Sequence, residues 1–109
     1  MTRRKQEQKP LARGCDPGTR VLELQRDLRR LGYLEAGLDG TFGPRTETAV
    51  RALQADLLEN GGVGQDGRAP VSVAGYNRGR VTAVDGAAGG GLDGCLRDML
   101  ADQRFLKIP

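Results

Sequence analysis

Two stretches of this 109-residue chain share one signature, an Asp-Gly pair followed by an amphipathic helical segment. The first begins at Asp39-Gly40, and the second begins 46 residues later at Asp85-Gly86. The apolar positions that follow are, in matched order, Ala49, Val50 and Leu53 in the first stretch and Cys95, Leu96 and Met99 in the second. Self-similarity reports architecture directly, so the repeat predicts an all-α chain of short helices joined by similar Asp-Gly turns.

A second similarity, at an offset of 29 residues, relates the first two helical segments and matches Gln25 with Gln54. Apolar residues at helical spacing predict helices over 20–31, 44–59 and 91–102. Thr19 is a predicted N-cap, Gly32 a predicted helix stop, and Pro44 suits a first helical turn. The sequence therefore predicts three helices whose apolar faces meet in one Leu-rich core. That core is predicted to contain Val21, Leu24, Val50, Leu53, Leu96 and Met99.

The connection before the third helix is longer than the one before the second and holds an insert over about 61–83. Apolar residues at 71–73 and 81–84 flank a glycine-bounded segment around Tyr76. This pattern predicts either a small hairpin of those two runs or a short helix around Tyr76. An apolar tail of Phe105, Leu106 and Ile108 is expected to fold back on the helices.

The positive charge of the chain is concentrated at its start, where residues 1–9 hold four basic side chains and one acidic one. The rest of the chain is balanced, which argues against a nucleic-acid-binding surface. We therefore divide the chain into a flexible basic tail over 1–14 and a single domain over 15–109. No apolar run is long enough for a membrane span or a signal-peptide core.

Catalytic chemistry finds little support in the residue inventory. The chain has no histidine, which excludes Ser-His or Cys-His nucleophiles and leaves the usual zinc sites without ligands. Glu35 lies in a glycine-bounded loop with no apolar pocket to raise its pKa. We predict no catalytic residue, no metal site and no cofactor. Cys15 and Cys95 could be bridged or could be two free thiols, and the sequence leaves both alternatives open.

The segment over 20–54 resembles the peptidoglycan-binding domain of the three-helix type. The resemblance rests on the Leu-Gln helix at Leu24-Gln25, the Leu-Gly-Tyr at 31–33, the Asp-Gly-x-Phe-Gly at 39–43, Thr46, and the Ala-Val at 49–50. Residues 84–100 resemble the third part of the family pattern more weakly. The resemblance implies a small orthogonal three-helix bundle with Asp-Gly turn loops, here with a long insert before the third helix.

The resemblance also implies a function, a non-catalytic module that holds a cell-wall hydrolase or related protein against bacterial peptidoglycan. Such a module acts at the cell envelope, as in bacterial or phage muramidases, with an attached or separate hydrolase as partner. Our alternative hypothesis is a protein–protein adaptor that uses the same fold and the insert side chains Tyr76, Arg78 and Arg80.

Candidate ligand-binding residues cluster around the first Asp-Gly turn. Tyr33, at the end of the first helix, can pack its ring while its hydroxyl reaches solvent, and Arg45, near a helix N-terminus, suits a peptide carboxylate. The other candidates each have a structural alternative. Asp39, Gly40, Gly43 and Thr46 could form the turn, Gln25 and Gln54 could bond to backbone across the bundle, and Phe42 could pack in the core.

Overall fold

The computed structural model describes residues 11–35, 38–59, 63–65 and 70–101. Three α-helices dominate these residues: α1 (Thr19–Leu31), α2 (Pro44–Glu59) and α3 (Gly90–Ala101). The predicted three-helix architecture is confirmed. The bounds of α2 are those predicted, and α1 and α3 each begin one residue earlier than expected.

The insert between α2 and α3 forms a short strand pair and then a short helix. Strands β1 (Val63–Gln65) and β2 (Pro70–Ser72) pair antiparallel, and a 3₁₀ helix follows over Val73–Tyr76. The prediction of a short helix around Tyr76 is confirmed, but the predicted pairing of 71–73 with 81–84 is wrong. The partner of β2 precedes it in sequence, because four residues suffice to join β1 to β2 as a hairpin.

One apolar core unites the three helices. Val21, Leu24, Val50, Leu53, Leu96 and Met99 all belong to one buried cluster, as predicted. The cluster also takes in Leu28, Leu31, Leu34, Leu57 and Leu92, together with Val73 and Val81 from the insert. Leu and Val side chains therefore supply most of the burial free energy, at about 1.5–3 kcal/mol for each fully buried side chain.

The end of α1 is set by glycine chemistry. Gly32 adopts the left-handed conformation with φ 94°, and its N–H donates to the Arg29 carbonyl. The N–H of Tyr33 donates to the Leu28 carbonyl at 2.8 Å, which completes a Schellman motif. The predicted stop at Gly32 is confirmed. The predicted cap at Thr19 is wrong, because Thr19 is already helical and the N-cap is Gly18, without a side-chain cap.

The domain begins earlier than the predicted boundary at residue 15. Leu11 is buried in the core, and its backbone forms an antiparallel bridge with Ala88. Residues 11–14 therefore belong to the folded unit instead of the flexible tail, because the bridge and the burial of Leu11 hold them to the loop before α3. Residues 1–10 and the predicted apolar tail of Phe105, Leu106 and Ile108 lie outside the described residues.

Cys15 and Cys95 are free thiols, Cys15 half-buried and Cys95 buried on the inner face of α3. Burial raises the pKa of the Cys95 thiol, which suits a small core residue. Among the helices of the described residues, none combines the length and apolarity needed to cross a membrane.

Candidate functional site

Gln25 organises the first Asp-Gly turn from inside the protein. Its Nε2 donates to the Thr41 carbonyl and to Thr46 Oγ1, both at 3.0 Å, and lies 3.2 Å from Asp39 Oδ1. Its Oε1 accepts the N–H of Gly40 at 2.9 Å. The turn needs glycine at Gly40, where φ is 77°. One buried amide therefore bonds to both sides of the turn and to the first turn of α2.

Gln54 repeats this arrangement at the second Asp-Gly turn. Its Nε2 donates to Asp85 Oδ1 at 2.8 Å and to the Ala87 carbonyl at 3.0 Å, and its Oε1 accepts the N–H of Gly86 at 2.9 Å. Gly86 also has φ 77°. The two matched glutamines of the sequence repeat thus hold two matched turns, each preceding the next helix.

The Asp side chain of each turn closes the turn on itself. Asp39 Oδ1 accepts the N–H of Thr41 at 3.0 Å, and Asp85 Oδ1 accepts the N–H of Ala87 at 3.0 Å. These backbone N–H groups, and next the glutamine amides, hold the pKa of both carboxyls below the usual Asp value. Asp39 is linked to Thr46 of α2 through the Gln25 amide, which bonds to both.

Five of the nine predicted ligand residues are buried. Gln25 has no exposed surface, Phe42 packs in the core, and the remaining buried candidates are Gly40, Thr46 and Gln54. Asp39, Gly43, Tyr33 and Arg45 keep accessible surface. Any ligand contact made by the predicted residues therefore has to use accessible atoms of these four.

Tyr33 and Arg45 line the same open groove, between the end of α1 and the start of α2. The groove has a volume of about 450 Å³ and is completed by Leu34, Glu35, Pro44, Thr48 and Ala49. Apolar walls with a few charged or hydroxyl groups at the edge are the usual composition of a ligand site. The loop over 39–43, around which we expected the ligand residues to cluster, does not line this groove.

The Tyr33 hydroxyl does not point freely to solvent as we expected. It donates to Asp56 Oδ2 of α2 at 2.6 Å. Burial, followed by this hydrogen bond and the charge of Asp56, raises the pKa of Tyr33 far above the usual tyrosine value. The phenol is therefore fixed against α2, and its ring forms a rigid wall of the groove.

Arg45 is exposed in the first turn of α2, where free backbone N–H groups and the helix dipole favour anions. Glu35, an exposed carboxylate, lines the same groove. The groove therefore presents one group of each charge sign and the hydroxyl-bearing Thr48, together with apolar residues. The sequence analysis did not predict that Leu34, Glu35, Pro44 and Thr48 line a ligand groove, although each is within four residues of Tyr33 or Arg45.

A second depression, of about 280 Å³, lies between α1 and α3. Its lining is dominated by charged side chains of both signs, among them Arg20, Asp27 and Asp93. Burial raises the pKa of both Asp27 and Asp93, and Arg20 opposes that rise at Asp93. The other lining residues include Leu11, Leu24 and Leu100, and the depression is smaller than the Tyr33–Arg45 groove.

The insert side chains of the adaptor hypothesis are partly turned inward. Arg80 bonds through Nη2 to the Tyr76 carbonyl and to Asp98 Oδ2 of α3, both at 2.7 Å. Asn77 is buried, donates to the carbonyls of Leu57 and Val81, and accepts the N–H of Val81 at 2.7 Å. Of the three side chains in that hypothesis, Arg78 is exposed, whereas Tyr76 and Arg80 are half-buried.

The part of the chain that the structure describes contains no cluster of side chains suited to bind a metal ion. No group of three or more Cys, Asp or Glu side chains there could hold an ion.

Comparison with known families identifies the segment that carries the first turn and the groove. Residues 17–61 match the family model described as "Putative peptidoglycan binding domain". The matched segment holds α1, the first Asp-Gly turn and α2, and it includes every residue that lines the Tyr33–Arg45 groove. The resemblance found in the sequence is confirmed over this segment. No curated protein and no solved structure was found to match the chain significantly.

Proposed function

We propose, from the match of residues 17–61 to the family model of a putative peptidoglycan-binding domain, that this chain is a non-catalytic peptidoglycan-binding module. It would target a protein or a cell-wall hydrolase to the bacterial cell wall, and it would act at the cell envelope. The single observation that carries the proposal is that the matched segment contains an open groove whose walls include Tyr33 and Arg45.

The arrangement suits binding better than catalysis. Tyr33 is held as a neutral phenol by Asp56, so it offers a ring surface and not a nucleophile. Arg45 offers a fixed positive charge for a peptide carboxylate, which is abundant in the stem peptides of peptidoglycan. Among the described residues that line the groove, no nucleophilic side chain is hydrogen-bonded to a base.

Co-sedimentation with purified sacculi tests the proposal. The full chain should move into the pellet with a saturable dependence on protein concentration. Arg45→Ala should weaken binding by about tenfold, since a charge-assisted hydrogen bond contributes roughly 1.5 kcal/mol. Arg26→Ala removes an exposed arginine of α1 that does not line the groove, and it should bind like the unmodified chain.

The proposal fails if the folded chain stays in the supernatant at every concentration. Equal weakening by Arg45→Ala and Arg26→Ala would show that binding depends on overall charge and not on the groove. Circular dichroism of each variant confirms that the helices are retained before binding is compared.

A further inference from the structure

The depression between α1 and α3 is a separate cavity from the Tyr33–Arg45 groove, because no residue lines both. One side of α1 contributes four lining residues, one side of α3 contributes three, and Leu11 completes the set: Arg20, Glu23, Leu24 and Asp27, then Asp93, Arg97 and Leu100. Spacings of three, four and seven residues place each group on one face of its helix. The depression therefore lies where two helix faces meet.

Three leucines give this depression an apolar surface. Leu11 and Leu24 are buried, and Leu100 is half-buried and packs against the core. The volume of about 280 Å³ is at the lower end of the range for small-molecule sites. The depression therefore suits a single alkyl chain better than an extended oligomer.

The charged side chains around the leucines leave one negative charge in excess. The lining holds the carboxylates of Glu23, Asp27 and Asp93 and the guanidinium groups of Arg20 and Arg97, three negative charges against two positive. No group of three carboxylates among the described residues is placed to hold a metal ion. The ligand charge that balances this lining is a single organic cation.

Asp27 and Asp93 line the depression from different helices, and both are partly withdrawn from water. Burial raises the pKa of both carboxyls, arginine charges oppose the rise, and the charge of Glu23 adds to it. The charge of Asp93 also raises the pKa of Asp27. None of the ion pairs between described residues involves a carboxylate of the depression. A bound cation would relieve the repulsion between these like charges.

We propose that the depression between α1 and α3 binds a primary ammonium group at the end of an unbranched alkyl chain. The ammonium lies beside Asp27 and Asp93, and the alkyl chain covers the leucines. A free diamino acid and a lysine-type side chain within a peptide share this chemistry. The inference does not depend on the proposed function, since it uses no residue of the groove, and α3 lies outside the segment that matches the family model.

Chemical-shift mapping of the full chain with three soluble probes tests the inference. The probes are lysine, lysine with both its α-amine and its carboxyl blocked, and norleucine, which has no side-chain ammonium. Lysine should shift the amides of Glu23, Asp27 and Asp93 with a Kd on the order of 1 mM, as expected for so small a ligand. Norleucine should leave these amides unmoved. Binding of the blocked lysine would identify a peptide side chain as the ligand, and binding of free lysine alone would identify a free diamino acid.

Matched substitutions test the location. Asp93→Asn keeps the size of the side chain and removes its charge, and it should weaken lysine binding by about tenfold or more. Asp27→Asn should have the same effect from the other helix, which provides the test if one variant does not fold. Asp16→Asn makes the same change at an exposed position outside the depression and should leave binding unchanged.

Four results would overturn the inference. The first is the absence of amide shifts up to about 20 mM lysine, well above the expected Kd. The second is a set of shifts confined to the Tyr33–Arg45 groove, where Glu35 is an alternative carboxylate. The third is binding of norleucine as tight as that of lysine, and the fourth is equal weakening by Asp93→Asn and Asp16→Asn.

Discussion

Gln25 and Gln54 are the residues on which both repeat units depend. Each is buried in the body of a helix. The side-chain amide of each forms hydrogen bonds with a turn that lies more than ten residues further along the chain. An amide has both donor and acceptor groups, so it can bond to a carbonyl and to an N–H of one turn, which a carboxylate or a hydroxyl of similar reach cannot do as completely. The pairing of Gln with Asp-Gly is therefore a chemical requirement of this turn.

Replacing either glutamine with leucine should destabilise the protein by about 1–3 kcal/mol, because the buried N–H of Gly40 or Gly86 then loses its partner. Urea denaturation measures the change. Arg26→Leu, at an exposed position next to Gln25, should change the free energy of unfolding by less than about 0.5 kcal/mol. Equal stability of Gln25→Leu and Arg26→Leu would contradict the structural role of the amide.

Gly91 offers a second residue-scale prediction, because a Cβ there would meet backbone that cannot rotate away. Gly91→Ala should destabilise the protein by about 1–3 kcal/mol through overpacking against Arg80. Gly90→Ala is the matched control, since a Cβ on Gly90 has no atom within 4 Å. The control should be neutral or slightly stabilising in thermal unfolding. A neutral Gly91→Ala variant would show that the insert does not rest on α3.

At the scale of elements, two features connect α1 to α2: the turn of the chain at Gly32 and the side chain of Tyr33, the next residue. The Schellman motif turns the chain out of α1, and Tyr33 then donates its hydroxyl to Asp56 on α2. The hydrogen bond holds the ring as a wall between the two helices. The shape of the groove is consequently coupled to the packing of α1 against α2.

The raised pKa of Tyr33 makes the stability of the folded protein sensitive to alkaline pH. The unfolded chain loses the phenol proton near pH 10.0, whereas the folded protein keeps it, so the contribution of Tyr33 to stability is complete below that pH and declines above it. Relative to Tyr33→Phe, the unmodified chain should lose about 1 kcal/mol of stability between pH 9 and 11. Urea titrations of both chains at each pH measure the difference, and Tyr76, present in both, cancels. A pH-independent difference would contradict the burial of the phenol.

At the scale of the whole molecule, both Asp-Gly turns are fastened to the segment that precedes α1. The N–H of Gly18 donates to the Gly40 carbonyl of the first turn at 3.0 Å. Leu11 exchanges two backbone hydrogen bonds with Ala88, just after the second turn, at 3.0 and 2.7 Å. The segment over 11–18 therefore links the two repeat units, and its contribution to stability is larger than its lack of regular structure indicates.

Leu11→Ala should cost about 2 kcal/mol, because it removes apolar volume from the core at the point where the chain start meets the second turn. Leu58→Ala makes the same change at a side chain that is 39% exposed and should cost less than about 0.5 kcal/mol. Thermal and urea unfolding of the two variants provide the comparison. Equal costs would place Leu11 outside the core.

Of the seven residues that line the groove, the sequence singled out two, Tyr33 and Arg45, as candidate ligand contacts. Tyr33 and Arg45 were recognised from their places beside the first turn and both line the groove, whereas Gln25 and Phe42 carry the same family signature and are buried. A pattern of fixed residue types does not separate side chains that support a loop from those that face a ligand. Burial separates them, and burial depends on which elements pack together.

The sequence by itself determined the three helices, the stop of α1 at Gly32 and the shared core, because helical periodicity, glycine stops and Asp-Gly turns act through neighbouring residues. Only the tertiary structure decided that Leu11 joins the core, that β2 pairs with β1, and that Arg80 covers α3. These contacts depend on free energies of packing between segments far apart in the chain, and periodicity does not encode the choice of partner.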